Sequence, residues 1–531
     1  MFPRTLSREA RKVGLAAFAG ASAAAALGLA AAADEPGPAE GGVDGAVEVQ
    51  ILGVNDFHGH LDPPRTIPRE AGGPEIPVGG AAALDAHLDR AERSHPGRTI
   101  RVHAGDMAGA TPLISSHFHD EPSMRAANLM DFDVGTLGNH EFDEGGDELI
   151  RLLEGGRRDD GRERKVNARG RQVNTSAPDY EGATYPWIAA NTVDREGRLE
   201  LPPTKVVERD GVRIGFIGVT TEHTGDFLLT GHGRRLGWLD ISGVVNRHAA
   251  ELQADGVEAI VVLAHSGAFQ ATGNPALARG EIIDETREMT GAVDLVIAGH
   301  SQSRLNVRVP NREGIGDKLV VESLAYGTAF DRVRMTIDPD TGHVLGKSAE
   351  TPRTWTDEVT PDAAQVSLRE RYRDQLDGLG DRVVGYAAVP LDRSAPGAAS
   401  ASLGAVAARA QRRLAGADFA FVDGGNMRAE VDAGPITYAE LFEAHAYEHP
   451  VLRMTLTGAE VSEAIGQPLH VAGPPAGAAI DPSKRYVVAA NRLLVERGEA
   501  DAFRRGNRPM EVVGTDLEAL VAEVERSRVL P

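Results

Sequence analysis

The sequence predicts an α/β fold built as more than one domain. Three observations carry this: hydrophobic runs of strand length alternate with segments of helical periodicity, polar clusters recur at the ends of those runs, and 531 residues suffice for two or three domains. A content of 41% hydrophobic and 25% charged residues is ordinary for a globular protein with a large core. Acidic residues outnumber basic ones 78 to 56, for a formal charge of -22, and no basic block or basic aromatic stripe stands out. Polymeric nucleic acid is therefore not the expected partner. A small phosphate ester stays compatible, because metal ions can supply positive charge locally.

Residues 1–33 read as a targeting segment. Arg4, Arg8, Arg11 and Lys12 form a basic region, an Ala-rich apolar run follows to about Leu29, and Ala30 to Ala33 offer small residues for cleavage. The expectation is a signal peptide and a secreted or extracytoplasmic protein with no stable membrane partner after cleavage. The alternative is an uncleaved anchor, since the run approaches the roughly 20 residues that span a bilayer. Residues 34–46, rich in Glu, Pro and Gly, read as a disordered linker. The chain has no cysteine, so disulfides, lipoprotein attachment and thiolate ligands are excluded. Any metal site must draw on His, Asp, Glu, Asn or Gln.

Five strand ends follow in order. Val47 to Val54 is a buried strand that ends in Asn55-Asp56-Phe57-His58-Gly59-His60. An Asp and a His two apart on an extended segment point the same way, so Asp56 and His58 can share one metal ion. Residues 62–80 read as loop, and Gly80 to about Arg93 as helix. Thr99 to Ala104 is a strand followed by Gly105-Asp106, where a carboxylate can sit in a crevice and bridge two cations. Val134 to Leu137 leads into Gly138-Asn139-His140-Glu141-Phe142-Asp143. Here Asn139 could simply cap a helix. Residues 155–182, dense in Arg, Asp and Gly, read as a solvated loop. Two further strands end in His265-Ser266-Gly267 and in Gly299-His300-Ser301-Gln302.

With this order of clusters the chain resembles the 5′-nucleotidase family of calcineurin-like metallophosphoesterases, over roughly residues 47–531. The resemblance implies a four-layer αββα metallophosphoesterase sandwich over 47–358, a linker helix over 359–380, and a smaller α+β substrate-binding domain over 381–531. It further implies two divalent metal ions, with Asp56, His58 and Gln302 on one, Asn139, His265 and His300 on the other, and Asp106 bridging. Zn, Mn, Fe and Co all suit such donors. His140 resembles the family's non-ligand histidine that contacts the phosphoryl group, and Asp143 the carboxylate that orients it. Two such ions roughly 3.5–4 Å apart lower the pKa of a bridging water toward neutrality and orient an in-line attack on phosphorus. Gln302, where many relatives carry His, favours the nucleotidase branch.

In the last domain, Asp423-Gly424-Gly425-Asn426-Met427-Arg428, Gly434-Pro-Ile-Thr437 and Leu456-Thr-Gly458 match family landmarks, with Asp423 in place of the usual Asn. Arg428 is the candidate for substrate phosphate, and Arg393 aligns with another family arginine. The two aromatic rings that clamp a nucleobase are altered. The first falls in Ala446-Tyr447-Glu448-His449 and the second becomes Leu493, ahead of Arg497-Gly498-Glu499. Tyr447 can still stack with Leu493 over the other face, while His449 and Glu499 complete the candidate substrate contacts. The expected function is hydrolysis of 5′-nucleotides, or of cyclic nucleotides or nucleotide-sugar pyrophosphates. Alternatives are a non-nucleotide phosphate or thiosulfate ester with the same metal chemistry, and an exported nucleotide-binding protein without strong catalysis.

Overall fold

A computed structural model describes residues 45–159, 164–166, 172–198, 200–228, 236–270, 277–312, 314–393, 402–424, 427–445, 448–474, 479–497, 501–505 and 509–530. The expected targeting segment and nearly all of the expected linker lie outside them. The chain divides into two compact units, with the boundary between Gly378 and Leu379. Among the described residues no helix is long and apolar enough to cross a membrane.

The first unit is built on twelve strands in two sheets. These are β1 (Val47–Val54), β2 (Thr99–His103), β3 (Val134–Thr136), β4 (Trp187–Ile188), β5 (Thr204–Arg209), β6 (Val212–Thr220), β7 (Ala259–His265), β8 (Leu295–Ala298), β9 (Arg304–Pro310), β10 (Asp317–Ser323), β11 (Asp331–Ile337) and β12 (Val344–Glu350). One sheet runs β12-β11-β1-β2-β3-β4 and the other β5-β6-β7-β8-β10-β9. In the first, β1 to β4 are parallel out to the β4 edge, with β11 and β12 antiparallel at the other; in the second, a parallel centre of β6, β7, β8 and β10 carries antiparallel edges. Central strands such as Val261-Val262-Leu263 are apolar on both faces because both faces are covered.

One core lies between the sheets, joining Ile51, Ile100 and Val134 to Phe216, Val261 and Ile297. A second joins the other face of the β6-β7-β8 sheet to the helices Ile241–Ala254 and Glu281–Glu288. On the outside of the first sheet sit the helices Ala81–Glu92, Glu121–Leu129 and Ala363–Leu376. There Gln50 on β1 donates to the Ala91 carbonyl, and Gln365 donates to Asp85 and the Ala126 carbonyl. The result is the four-layer αββα order.

The helix Ala363–Leu376, within the span 359–380 expected as the linker helix, packs into the first unit through Gln365, Leu368 and Tyr372. Two expectations change. Part of the stretch read as loop over 62–80 is a hairpin, Arg65–Pro68 against Glu75–Val78, because Thr, Ile and Val favour extended backbone on either side of Gly72 and Gly73. The charged stretch 155–182 is not simply solvated. Arg158 is buried and reaches Glu144, Glu148 and His119 Nδ1.

The second unit holds a five-stranded sheet in the order His470–Ala472, Phe419–Val422, Arg485–Asn491, Pro450–Thr457, Glu511–Thr515. A three-stranded sheet orders Gly434–Thr437, Val383–Ala387 and Val529–Leu530. Three of its helices begin with a capping box: Thr437 with Glu440, Thr457 with Glu460, Thr515 with Glu518. Each satisfies otherwise orphaned backbone N–H groups at the helix start. Two of the landmark motifs, Gly434 to Thr437 and Leu456-Thr-Gly458, therefore supply the Thr437 and Thr457 caps where strands pass into helices.

Candidate metal centre

Five polar clusters leave the carboxyl ends of parallel strands β1, β2, β3, β7 and β8, where open α/β sheets place their ligands. Because the two sheets face each other, clusters as much as 244 residues apart meet. His265 Nε2 lies 3.1 Å from Asp106 Oδ2 and 3.1 Å from Asn139 Oδ1. His300 Nδ1 lies 2.8 Å from Asn139 Oδ1. His58 Nε2 approaches the same Asp106 Oδ2 at 3.4 Å and lies 3.8 Å from Asp56 Oδ1, with the Gln302 amide 3.3 Å from that nitrogen. All seven residues named from the sequence thus converge around Asp106. Two triads with donor atoms close enough to hold an ion are Asp56, Asp106, His265 and His58, Asp106, His140.

The convergence is not the extended geometry expected for Asp56 and His58. Both are left-handed, at φ 48° and 46°, as are Asp106 at 52°, His300 at 74° and Gln302 at 53°. Such backbone costs about 1 kcal/mol or more per non-glycine residue and persists only where its surroundings enforce it. Asn139 precedes the short helix His140–Phe142 but makes no side-chain cap, so the capping alternative does not apply.

The fit to cations can be read atom by atom. His58 Nδ1 lies 2.8 Å from the Gly109 carbonyl and His265 Nδ1 2.8 Å from the Ala104 carbonyl. Each Nδ1–H therefore donates to backbone, leaving both Nε2 lone pairs facing the cluster. Asp56 Oδ2 accepts from Asn55 Nδ2 at 2.8 Å and His300 N at 2.9 Å, whereas Oδ1 is buried without a hydrogen-bond partner. An orphaned carboxylate oxygen aimed at two imidazole lone pairs suits a divalent ion.

Charge follows the same pattern. Burial alone would raise Asp106, yet the charges of His265, His140 and His58 outweigh it and hold its carboxyl well below the usual range. Burial opposes charging His265, but Asp106 lifts it to about 10. Burial and the charge on His265 push His300 down to about 3. Asp106 draws a proton onto His265 with the same pull that it would exert on a divalent cation.

Glu141 was given no role from the sequence. Buried beneath the cluster, its Oε2 accepts from Gly138 N at 2.6 Å and Asp106 N at 3.0 Å, and its Oε1 from Met107 N at 2.7 Å and Ala108 N at 3.1 Å. One carboxylate thus staples the loop after β2 to the loop after β3. Asn55 ties β1 to Ser323 and the Leu324 carbonyl in the same way. His140 Nδ1 lies 2.9 Å from Asp143 Oδ2, and His140 N donates to Asp106 Oδ1 at 2.9 Å.

Two family models match: calcineurin-like phosphoesterase over residues 49–304 and 5′-nucleotidase, C-terminal domain, over 383–478. The chain belongs to the calcineurin-like phosphoesterases with a 5′-nucleotidase C-terminal domain. Its members are metal-dependent phosphoester hydrolases, so the family implies divalent metal, and this His/Asp centre offers candidate ligands for it. Endonuclease YhcR of Bacillus subtilis is 31% identical over 79% of this chain and 32% of its own length. Cell wall protein Lmo0130 of Listeria monocytogenes is 33% identical over 79% of this chain and 56% of its own. The chain therefore spans about a third to just over half of these two relatives. Among solved structures, the 5′-nucleotidase precursor from Thermus thermophilus shares the fold, with a TM-score of 0.73, 23% identity, and coverage of 91% of this chain and 97% of that one.

In the 5′-nucleotidase-type unit, Arg393 Nη1 donates to the Met427 carbonyl at 3.0 Å and the Arg428 carbonyl at 3.3 Å, so it braces the segment bearing Arg428. Asp423 directly follows the strand Phe419–Val422, and its charge acts on the buried His470. His449 is largely buried, with its carbonyl accepting from Asp516 N at 3.0 Å. Leu493 is only 3% exposed, packed inside the unit, which leaves it no open face for a base. Tyr447 and Glu499 lie outside the described residues.

Proposed function

We propose that this chain is an exported phosphohydrolase with a two-cation centre, acting on small phosphate esters and foremost on 5′-nucleotides. The observation that carries the reading is the Asp106-centred ring of seven donor residues, with Asp56 Oδ1 orphaned and two imidazole Nε2 atoms facing inward. Asp56, His58 and Gln302 would hold one divalent ion and Asn139, His265 and His300 the other, with Asp106 between them. When bound, such ions polarise phosphoryl oxygens and make water a competent nucleophile at neutral pH.

The chain's own part follows from His140 and Asp143. A carboxylate at 2.9 Å takes the Nδ1–H and fixes the ring. When the ring carries a second proton, its Nε2–H can donate to a phosphoryl oxygen or protonate the leaving oxygen, a role typically worth ~10²–10⁴-fold. Arg428, held by Arg393 through two carbonyls, is the candidate cation for substrate phosphate, with Asp423, Tyr447, His449 and Glu499 as the remaining candidate contacts. With Leu493 buried, base stacking would rest on Tyr447 alone. One lost ring weakens affinity by ~1–3 kcal/mol. Export rests on residues 1–33 and agrees with relatives named as a cell wall protein and a precursor.

The test is a phosphate-release panel on protein loaded with Mn²⁺ or Zn²⁺, using AMP, UDP-glucose, 2′,3′-cyclic AMP, p-nitrophenyl phosphate and single-stranded DNA. A strong preference for AMP is the expected result, with His140→Ala lowering turnover ~10²–10⁴-fold. Turnover of the aryl phosphate alone moves the substrate elsewhere, preference for DNA favours the chemistry that one relative's name carries, and no hydrolysis with metal bound rejects the hydrolase.

A further inference from the structure

Tyr326 belongs to none of the five strand-end clusters, yet it closes over one side of the metal centre. Its hydroxyl lies 3.1 Å from Gln302 Oε1. Its ring packs against His60 at 4.2 Å and His58 at 5.9 Å between centroids. Its backbone N donates to the Asp56 carbonyl at 2.8 Å, and the Leu324 carbonyl two residues earlier accepts from Asn55 Nδ2 at 2.6 Å. Leu324 and Tyr326 both take left-handed backbone, at φ 70° and 61°. That strain is maintained where the segment meets Asn55, Asp56, His58 and Gln302 and nowhere else along β10 to β11.

Gln302 has two ends, and only its oxygen can ligate a cation. The end nearer His58 Nε2, at 3.3 Å, is the amide nitrogen, while the oxygen accepts from the tyrosine. The two ends are nearly equal in shape, so either orientation fits the same space. A phenol hydroxyl donates or accepts equally well. We infer that Tyr326 is a positioning residue for the metal centre: its hydroxyl accepts the Gln302 amide N–H and so turns the Gln302 oxygen toward the cation held with Asp56 and His58. The histidine-rich side, with Asn139, His265 and His300, has no such contact with Tyr326. The inference rests on the two-cation reading above and predicts an effect on one cation only.

The experiment titrates Mn²⁺ by calorimetry into metal-stripped wild-type protein, Tyr326→Phe, Gln302→Ala and the double variant. Phenylalanine keeps the ring packing on His60, and circular dichroism checks the fold. Wild type is expected to take two ions. Tyr326→Phe should weaken one of them ~10–100-fold, the usual cost of losing a group that orients a ligand, and leave the other unchanged. Gln302→Ala should weaken the same ion, and the double variant no further, because a tyrosine that acts through Gln302 has nothing left to orient. Two ions of wild-type affinity in Tyr326→Phe overturn the inference, as do additive losses in the double variant. A wild type that takes fewer than two ions rejects the two-cation reading instead, and the comparison of Tyr326→Phe with Gln302→Ala at the remaining ion still judges the tyrosine.

Discussion

Glu141→Gln changes one oxygen to an amide nitrogen and almost nothing in shape, yet it strikes the staple under the metal centre. Each carboxylate oxygen accepts two backbone N–H groups, Oε2 from Gly138 and Asp106 and Oε1 from Met107 and Ala108. Above pH 7, where Glu141, pushed up to about 7 by burial and the charge of Asp106, is ionised, glutamine keeps one pair and turns an NH₂ toward the other, so two hydrogen bonds to a charged acceptor become donor against donor. At ~1.5–3 kcal/mol for each such bond, the loss is about 3–6 kcal/mol. Against a total stability of about 5–15 kcal/mol for a folded domain, that is a large fraction. Thermal unfolding of the metal-free protein should show the first unit's transition lowered by at least ~6 °C, at about 2 °C or more per kcal/mol. Because the same loops carry Asp106 and Asn139, metal retained after dialysis should fall in parallel. A transition within about 1 °C of wild type, which corresponds to less than the loss of one such bond, together with unchanged metal content, would refute the staple.

Two other perturbations test different parts of the fold. In Gly138→Ala the new Cβ falls on Asp106 Oδ1 and 2.5 Å from Asp106 N, so the loop must shift by about 1 Å, a displacement that commonly costs ~10²-fold in turnover. Phosphate release and bound metal measured together check it, and full values for both would show that the loops can give way. Asp331, buried in β11 with Oδ2 unpartnered, is pushed up to about 8 by burial, against the pull of its Thr351 hydrogen bond. Its folded pKa lies above the unfolded value, so folding favours the protonated form and stability falls as pH rises from about 4 to about 8. At ~1.4 kcal/mol per pH unit this amounts to up to ~4 kcal/mol between about pH 5 and 8. In Asp331→Asn the melting temperature relative to wild type should climb over that range, and parallel pH curves would count against the buried, neutral aspartate.

The sequence by itself determined the strand ends and two of the helices. Val47–Val54, Ala81–Glu92 and Ala363–Leu376 carry their period in the order of apolar residues, and the capping boxes at Thr437, Thr457 and Thr515 are local spacings of hydroxyl and carboxylate. The seven donor residues were legible because each stands at the end of a hydrophobic run. Only the tertiary structure decided the rest. Asp56 and His58 meet through left-handed backbone that neighbouring loops impose, a conformation that their spacing does not encode. Arg158 is buried because Glu144, Glu148 and His119 happen to surround it, and Leu493 because the second unit closes over it. Glu141 and Tyr326 leave no trace in the sequence for the same physical reason. One is held by backbone N–H groups, which every residue type offers, and the other touches Gln302 only because β8 and β10, separated in the chain by β9, are neighbours in the sheet.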